Sequence, residues 1–186
     1  MTSTLLEHEK RHLASLIEAI QRCVYFLDAA SAPLVWPLTP AALDRSKKDK
    51  QLFGALAAIN ERFAKLQDTL GAAMRHAMGL LSEPSDTFLK VLAFYEKIGI
   101  IDSIAGWQTC RSVRNLAAHT YATDYAAIAE HFNTLHEMQP VLYRAALGFV
   151  SYCHATLDIT PASNDFADEF FSIVDQRATH HVPPSL

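Results

Sequence analysis

Leu52, Leu56, Ile59, Phe63, Leu66, Leu70 and Met74 recur three or four residues apart in a stretch without proline, the spacing that lines apolar side chains along one stripe of a helix. A strand would instead alternate apolar and polar residues, and no segment of the chain does so. The spacing predicts a helix over about 46–81, and a stripe that long must be covered by other helices. Leu13, Leu16, Ile17, Ile20, Val24 and Leu27 supply a second stripe. Thr4 and Glu7 stand ahead of it with the spacing of a capping box, which predicts a helix over about 5–30. The intervening 32–40 contains Pro33, Pro37 and Pro40, each lacking a backbone donor, so it must be a connector. A short turn of helix is expected at Pro40, with Trp36 as the anchor.

Further along, Ser85 is positioned to cap a helix carrying Phe88, Leu89, Leu92 and Tyr95, with Gly99 as the glycine that closes it and Ile100 and Ile101 packing the turn. Asp102 or Ser103 can cap the next helix, through Ile104, Trp107, Cys110, Val113 and Ala117. Thr123 and Asp124 open another with Tyr125, Ile128, Phe132 and Leu135, and its stripe resumes at Leu142, Ala145, Phe149 and Tyr152. Pro140 either kinks or divides that helix. After a turn-rich break at 159–164, Phe166, Phe170 and Ile173 indicate a short terminal helix. The expected fold is all-α, an antiparallel up-and-down bundle of four or five main helices with a short C-terminal helix. One domain is expected over 1–178, followed by a disordered tail at 179–186.

Composition restricts the function classes. The formal charge of −4 offers no global basic footprint, so any contact with nucleic acid must use a local patch. Arg45, Lys47, Lys48 and Lys50 form the densest basic run, either a solvated helix start or an extension of such a patch. Cys23, Cys110 and Cys153 are odd in number and far apart, which suggests neither a disulfide framework nor a cysteine zinc site and fits a reducing cytoplasm. The first residues lack a signal-peptide pattern and no run of apolar residues is long enough to span a bilayer, so no membrane association is expected. His8 and His12 are four apart but have no evident third ligand, and no metal site is expected. Tyr95, Tyr125, Tyr143 and Tyr152 lie on apolar stripes and should pack, whereas His131, His136 and the His180–His181 pair have no evident partners and are expected at the surface.

The chemistry-bearing segment is Arg114-Asn115-Leu116-Ala117-Ala118-His119-Thr120-Tyr121. Cleaving RNA without a metal requires a group that takes the 2′-hydroxyl proton, a donor for the leaving oxygen and positive charge on the phosphate. Histidine suits the first two tasks because it titrates near neutrality, and arginine suits the third because its planar fork matches phosphate oxygens. On a helix Arg111, Asn115 and His119 share one face, and Arg114 and Tyr121 share the neighbouring one. This polar strip lies beside the apolar strip of Trp107, Cys110, Val113 and Ala117.

Arg114, Asn115 and His119 resemble the active-site signature of the HEPN family of metal-independent ribonucleases, an arginine and a following polar residue with a histidine four to six residues on. With Tyr121 two places past the histidine, the segment looks like that of HepT-like toxins encoded beside a minimal nucleotidyltransferase antitoxin. A looser likeness covers about 85–155. The resemblance implies a helical bundle that forms a homodimer, with two copies of the motif lining one cleft. His119 would be the acid/base residue, Arg114 the phosphate clamp and Asn115 a polar positioner, with Arg111 as a further substrate contact. It implies an RNA substrate, tRNA among the possibilities, no DNA partner, no cofactor and no metal. It also implies a cognate nucleotidyltransferase that adenylates Tyr121, placing negative charge in the cleft. The alternative is a non-catalytic partner or substrate-binding subunit of that nucleotidyltransferase. Gln108, at a place that is acidic in some catalytic relatives, favours this alternative.

Overall fold

A computed structural model describes residues 3–116 and 124–179 of the chain. Within them lie seven helices: α1 Ser3–Ser31, α2 Pro40–Arg45, α3 Lys50–Leu80, α4 Phe88–Lys97, α5 Ile104–Leu116, α6 Tyr125–Leu157 and α7 Ala167–Thr179, with no strand among the described residues. The all-α bundle expected from the apolar spacing is thus what the chain forms.

Four helices make the bundle, and their cross-contacts give the directions. His76 Nε2 near the end of α3 donates to the Glu9 carbonyl near the start of α1 at 2.9 Å, and Arg62 lies 5.3 Å from the ring of Phe26 near the other end. These helices are therefore antiparallel. Gln67 Nε2 donates to the Trp107 carbonyl at 2.8 Å while Arg114 Nη1 donates to the Ala64 carbonyl at 3.1 Å, so α5 runs against α3. The Asp102 carboxylate, just ahead of α5, accepts from Arg144 in α6 at 2.6 Å, and Ser31 at the end of α1 meets His136 early in α6. The order is up, down, up, down. Leu13, Ile17, Ile20, Val24, Leu27, Ile59, Phe63, Leu66, Leu70 and Met74 are all fully buried between these helices.

Helix ends account for the departures from the expected boundaries. The stretch 46–49 is not helical, because Asp49 caps α3 by accepting from Gln51 N at 2.8 Å and Leu52 N at 3.1 Å. The basic run therefore straddles a turn, and Lys47 there pairs with Asp44 at 3.6 Å with both side chains largely exposed. Thr87 rather than Ser85 caps α4, its hydroxyl accepting from Lys90 N at 3.3 Å. Gly99 takes a positive φ of 75°. There its N–H donates to the Glu96 carbonyl while Ile100 N donates to Tyr95, a Schellman closure. Ser103, not Asp102, caps α5, accepting from Gly106 N at 2.9 Å. Asp124 caps α6, which passes Pro140 as one helix of 33 residues.

The connector is tied down as expected of Trp36, and the tie half-buries a histidine, His136, that was expected at the surface. Trp36 Nε1 donates to the Ser31 carbonyl at 3.0 Å, and its ring stacks on His136 at 4.1 Å and 2°. His131, likewise expected at the surface, is buried, 8% exposed. Both histidines are covered by segments distant in sequence, which helical spacing along α6 could not register. Tyr95 and Tyr143 are buried as expected. No helix among the described residues is long and apolar enough to cross a membrane. The tail expected at 179–186 lies outside the described residues, apart from Thr179 at the end of α7.

Candidate functional site

The start of α5 is doubly fixed, by the Ser103 cap and by Glu96 Oε1 accepting from Ile104 N at 2.8 Å. From that start Trp107, Cys110 and Val113 point inward and are buried, whereas Arg111 and Asn115 are exposed and Arg114 is half-buried. The division into an apolar and a polar strip holds as far as α5 is described. His119 and Tyr121 lie outside the described residues.

Facing this strip, α3 contributes Gln67, Asp68, Gly71, Ala72 and Arg75, which follow one another at helical spacing. With Phe88, Trp107, Arg111 and Arg114 they enclose a cavity of about 350 Å³. The size falls within the range of small-ligand sites. The room comes from Gly71 and Ala72: a Cβ at Gly71 would stand 3.1 Å from Phe88 Cζ and crowd the ring that lies over α3.

Three guanidinium groups converge here. Arg114 is tied to Asp68, Nη1 to Oδ1 at 2.5 Å, and to the Ala64 carbonyl. Arg75 lies 5.6 Å from the centre of the Phe88 ring, and neither it nor Arg111 has an acidic partner among the described residues. One carboxylate against three guanidiniums leaves the cavity electropositive on an acidic protein, and its apolar walls strengthen that field.

The other reactive groups lie elsewhere. Burial pushes the Cys110 thiol up to about 11, although a backbone hydrogen bond opposes it, and the Cys153 thiol up to about 12. Burial raises the Cys23 thiol too, so all three environments disfavour the thiolate that a cysteine nucleophile needs. His12 meets His76 edge to face at 4.8 Å, yet among the described residues no group of three or more His, Cys, Asp or Glu side chains is placed to hold a metal ion.

Of the sequence-derived site residues, Arg111 and Arg114 line the cavity, and Asn115 is exposed on the last turn of α5. The α3 wall was missed. Its signal was the small pair Gly71–Ala72 followed by Arg75 at the polar edge of an otherwise apolar stripe. No family model, curated protein or solved structure matches the chain.

Proposed function

We propose that the protein is a metal-independent endoribonuclease of the HEPN type, acting as the toxin of a pair whose antitoxin is a nucleotidyltransferase. The observation that carries this reading is the convergence of three arginines on one cavity, Arg111 and Arg114 from the helix that precedes His119 in sequence and Arg75 from α3. Phosphate recognition by guanidinium forks is what a metal-free cleavage requires in place of a cation. His119 takes the proton from the 2′-hydroxyl, the 2′-oxygen bonds to phosphorus, and the bond from phosphorus to the 5′-oxygen breaks as that oxygen receives a proton. The products are a 2′,3′-cyclic phosphate and a 5′-hydroxyl. In a homodimer two copies of His119 serve as base and acid, Asn115 positions the phosphate, and Tyr121 is the residue adenylated by the partner. No cofactor enters.

The test is cleavage of single-stranded RNA and tRNA by purified protein in a metal chelator. Wild type should cut, and His119→Ala should not while keeping its helical circular dichroism. Equal cleavage by both would sink the reading, as would equal growth arrest on expression without the partner.

One observation favours the non-catalytic alternative: the Arg114 charge is already engaged by Asp68 at 2.5 Å. On that reading the cavity presents a substrate to the nucleotidyltransferase, and purified protein binds the neighbouring gene product without cutting RNA.

A further inference from the structure

The cavity has a second half that the motif does not explain. Gln67 is 3% exposed, and its side-chain amide is oriented by the hydrogen bond from Nε2 to the Trp107 carbonyl at 2.8 Å. With the nitrogen committed there, Oε1 is left as an acceptor, and it has no hydrogen-bond partner. A buried carbonyl oxygen without a partner is unfavourable, a penalty that a ligand N–H would remove. The same cavity is lined by two aromatic rings, Phe88 and Trp107, 6.3 Å apart and inclined at 53°. At the rim stand Arg75 and Arg111, without acidic partners among the described residues.

We propose that this cavity is a nucleotide subsite: Arg111 and Arg75 hold a phosphate, and the base enters between α3 and α5, stacks against Phe88 and donates an N–H to Gln67 Oε1. The three demands belong to one ligand class. An inorganic anion would use the arginines and leave the aromatic wall and the acceptor idle. A neutral aromatic amide would do the reverse. A nucleoside monophosphate, free or as one unit of an RNA strand, uses all three, and a cavity of about 350 Å³ accommodates one. Stacking on aromatic faces and guanidinium contact with phosphate are the common means of holding unpaired nucleotides. The inference deepens the ribonuclease reading by naming a strand position that the enzyme grips beside the cut, and it rests on that reading for the strand but not for the nucleotide.

Isothermal calorimetry of the full chain with adenosine 3′-monophosphate, ribose 5-phosphate and inorganic phosphate tests it, with an adenosine hexaribonucleotide as a further arm. The mononucleotide should bind at least about tenfold tighter than either small phosphate. Arg111→Gln should weaken all of them. Gln67→Met should lower only the nucleotide affinity, bringing it toward that of ribose 5-phosphate. Because Gln67 is buried and its replacement could unfold the chain, Ala72→Leu provides an independent variant: Ala72 is exposed on the cavity wall, and the larger side chain should abolish nucleotide binding in a protein that melts as wild type does. A hexamer that binds more tightly than the mononucleotide assigns the site to a strand, and equal affinities assign it to the free nucleotide; both support the subsite. Equal affinity for nucleotide and ribose 5-phosphate would overturn it, as would undiminished nucleotide binding by folded Ala72→Leu. His119→Ala separates the two readings, since it should stop cleavage and leave mononucleotide binding intact. Nucleotide binding without cleavage by wild type would remove the ribonuclease and keep the subsite, whereas cleavage without nucleotide preference would do the opposite.

Discussion

Arg114 Nη1 lies 2.5 Å from Asp68 Oδ1 and donates at the same time to the Ala64 carbonyl at 3.1 Å, so one guanidinium fastens the end of α5 to α3. The Asp68 side chain is 64% exposed and that of Arg114 16%, and a pair so open to water contributes only about 0–1 kcal/mol to stability. Its larger effect is on the charge presented to the cavity. In Asp68→Asn the arginine keeps its carbonyl anchor and loses its counter-charge. Binding of a fluorescent oligoribonucleotide should then tighten several-fold at low salt and show a steeper salt dependence, with little change in melting temperature. Unchanged affinity at low salt would mean that Asp68 does not offset the cation.

Arg114 also separates charge from geometry. Lysine would keep the charge but lacks the planar fork, whose nitrogens other than the Nη1 held by Asp68 and Ala64 can donate to phosphate oxygens. If the proposed ribonuclease reading holds, Arg114→Lys should therefore lose most of the RNA cleavage that Arg114→Gln loses, about tenfold or more, measured as initial rate on the same substrate. Full activity in the lysine variant would reduce the role of Arg114 to a point charge.

The two walls of the cavity were not equally legible in the sequence. Trp107, Arg111, Arg114 and Asn115 sit on one short helix, where spacing alone sorts inward from outward residues. Gln67, Asp68 and Arg75 join them only because α3 runs antiparallel to α5, a relation between segments some forty residues apart that no local pattern carries. The same limit explains the histidines of α6. His136 is covered by Trp36 from the connector, and His131 faces Asn60 of α3 at 3.4 Å. Helix ends were legible where one residue type has a dominant use, as Gly99 does. They were not where several neighbouring side chains can cap: at the start of α4, Thr87 takes the cap while Asp86 pairs with Lys90 at 2.9 Å.

These two histidines, His131 buried and His136 half-buried, should make stability depend on pH. Burial pushes both imidazoles below their ordinary value of 6.5; for His136 the Arg177 charge adds to the effect and Asp28 opposes it. Asp28 and Arg177 are themselves paired at 2.6 Å. Below 6.5 the unfolded chain binds protons that the folded chain resists, so the stability these groups contribute is fully present above that value and is lost as pH falls through it toward the depressed folded values. Urea melts between about pH 5 and pH 7 should show unfolding free energy rising with pH. His136→Asn should flatten the slope, while keeping a polar group for Ser31, whose hydroxyl lies 3.1 Å from His136 Nδ1. Greater stability on the acid side would contradict this assignment.

Two glycines of α3 should respond oppositely to alanine. A Cβ at Gly54 meets nothing within 4 Å, so Gly54→Ala gains helix propensity without a clash, about 0.5–1 kcal/mol. At this chain length 1 kcal/mol shifts the melting temperature by about 2–4 °C. At Gly71 the same gain is opposed by Phe88 Cζ at 3.1 Å and Cε2 at 3.3 Å, on a ring held between Arg75 and Trp107. Overpacking of this kind costs about 1–3 kcal/mol, so Gly71→Ala should lower the melting temperature and weaken nucleotide binding as the ring moves into the cavity. Phe88→Leu removes the atoms in conflict. In the Gly71→Ala/Phe88→Leu double variant the alanine should become stabilising, and a double-mutant cycle on the melting data should give a favourable coupling energy. Additive effects would show that the Phe88 ring is not what requires glycine at position 71.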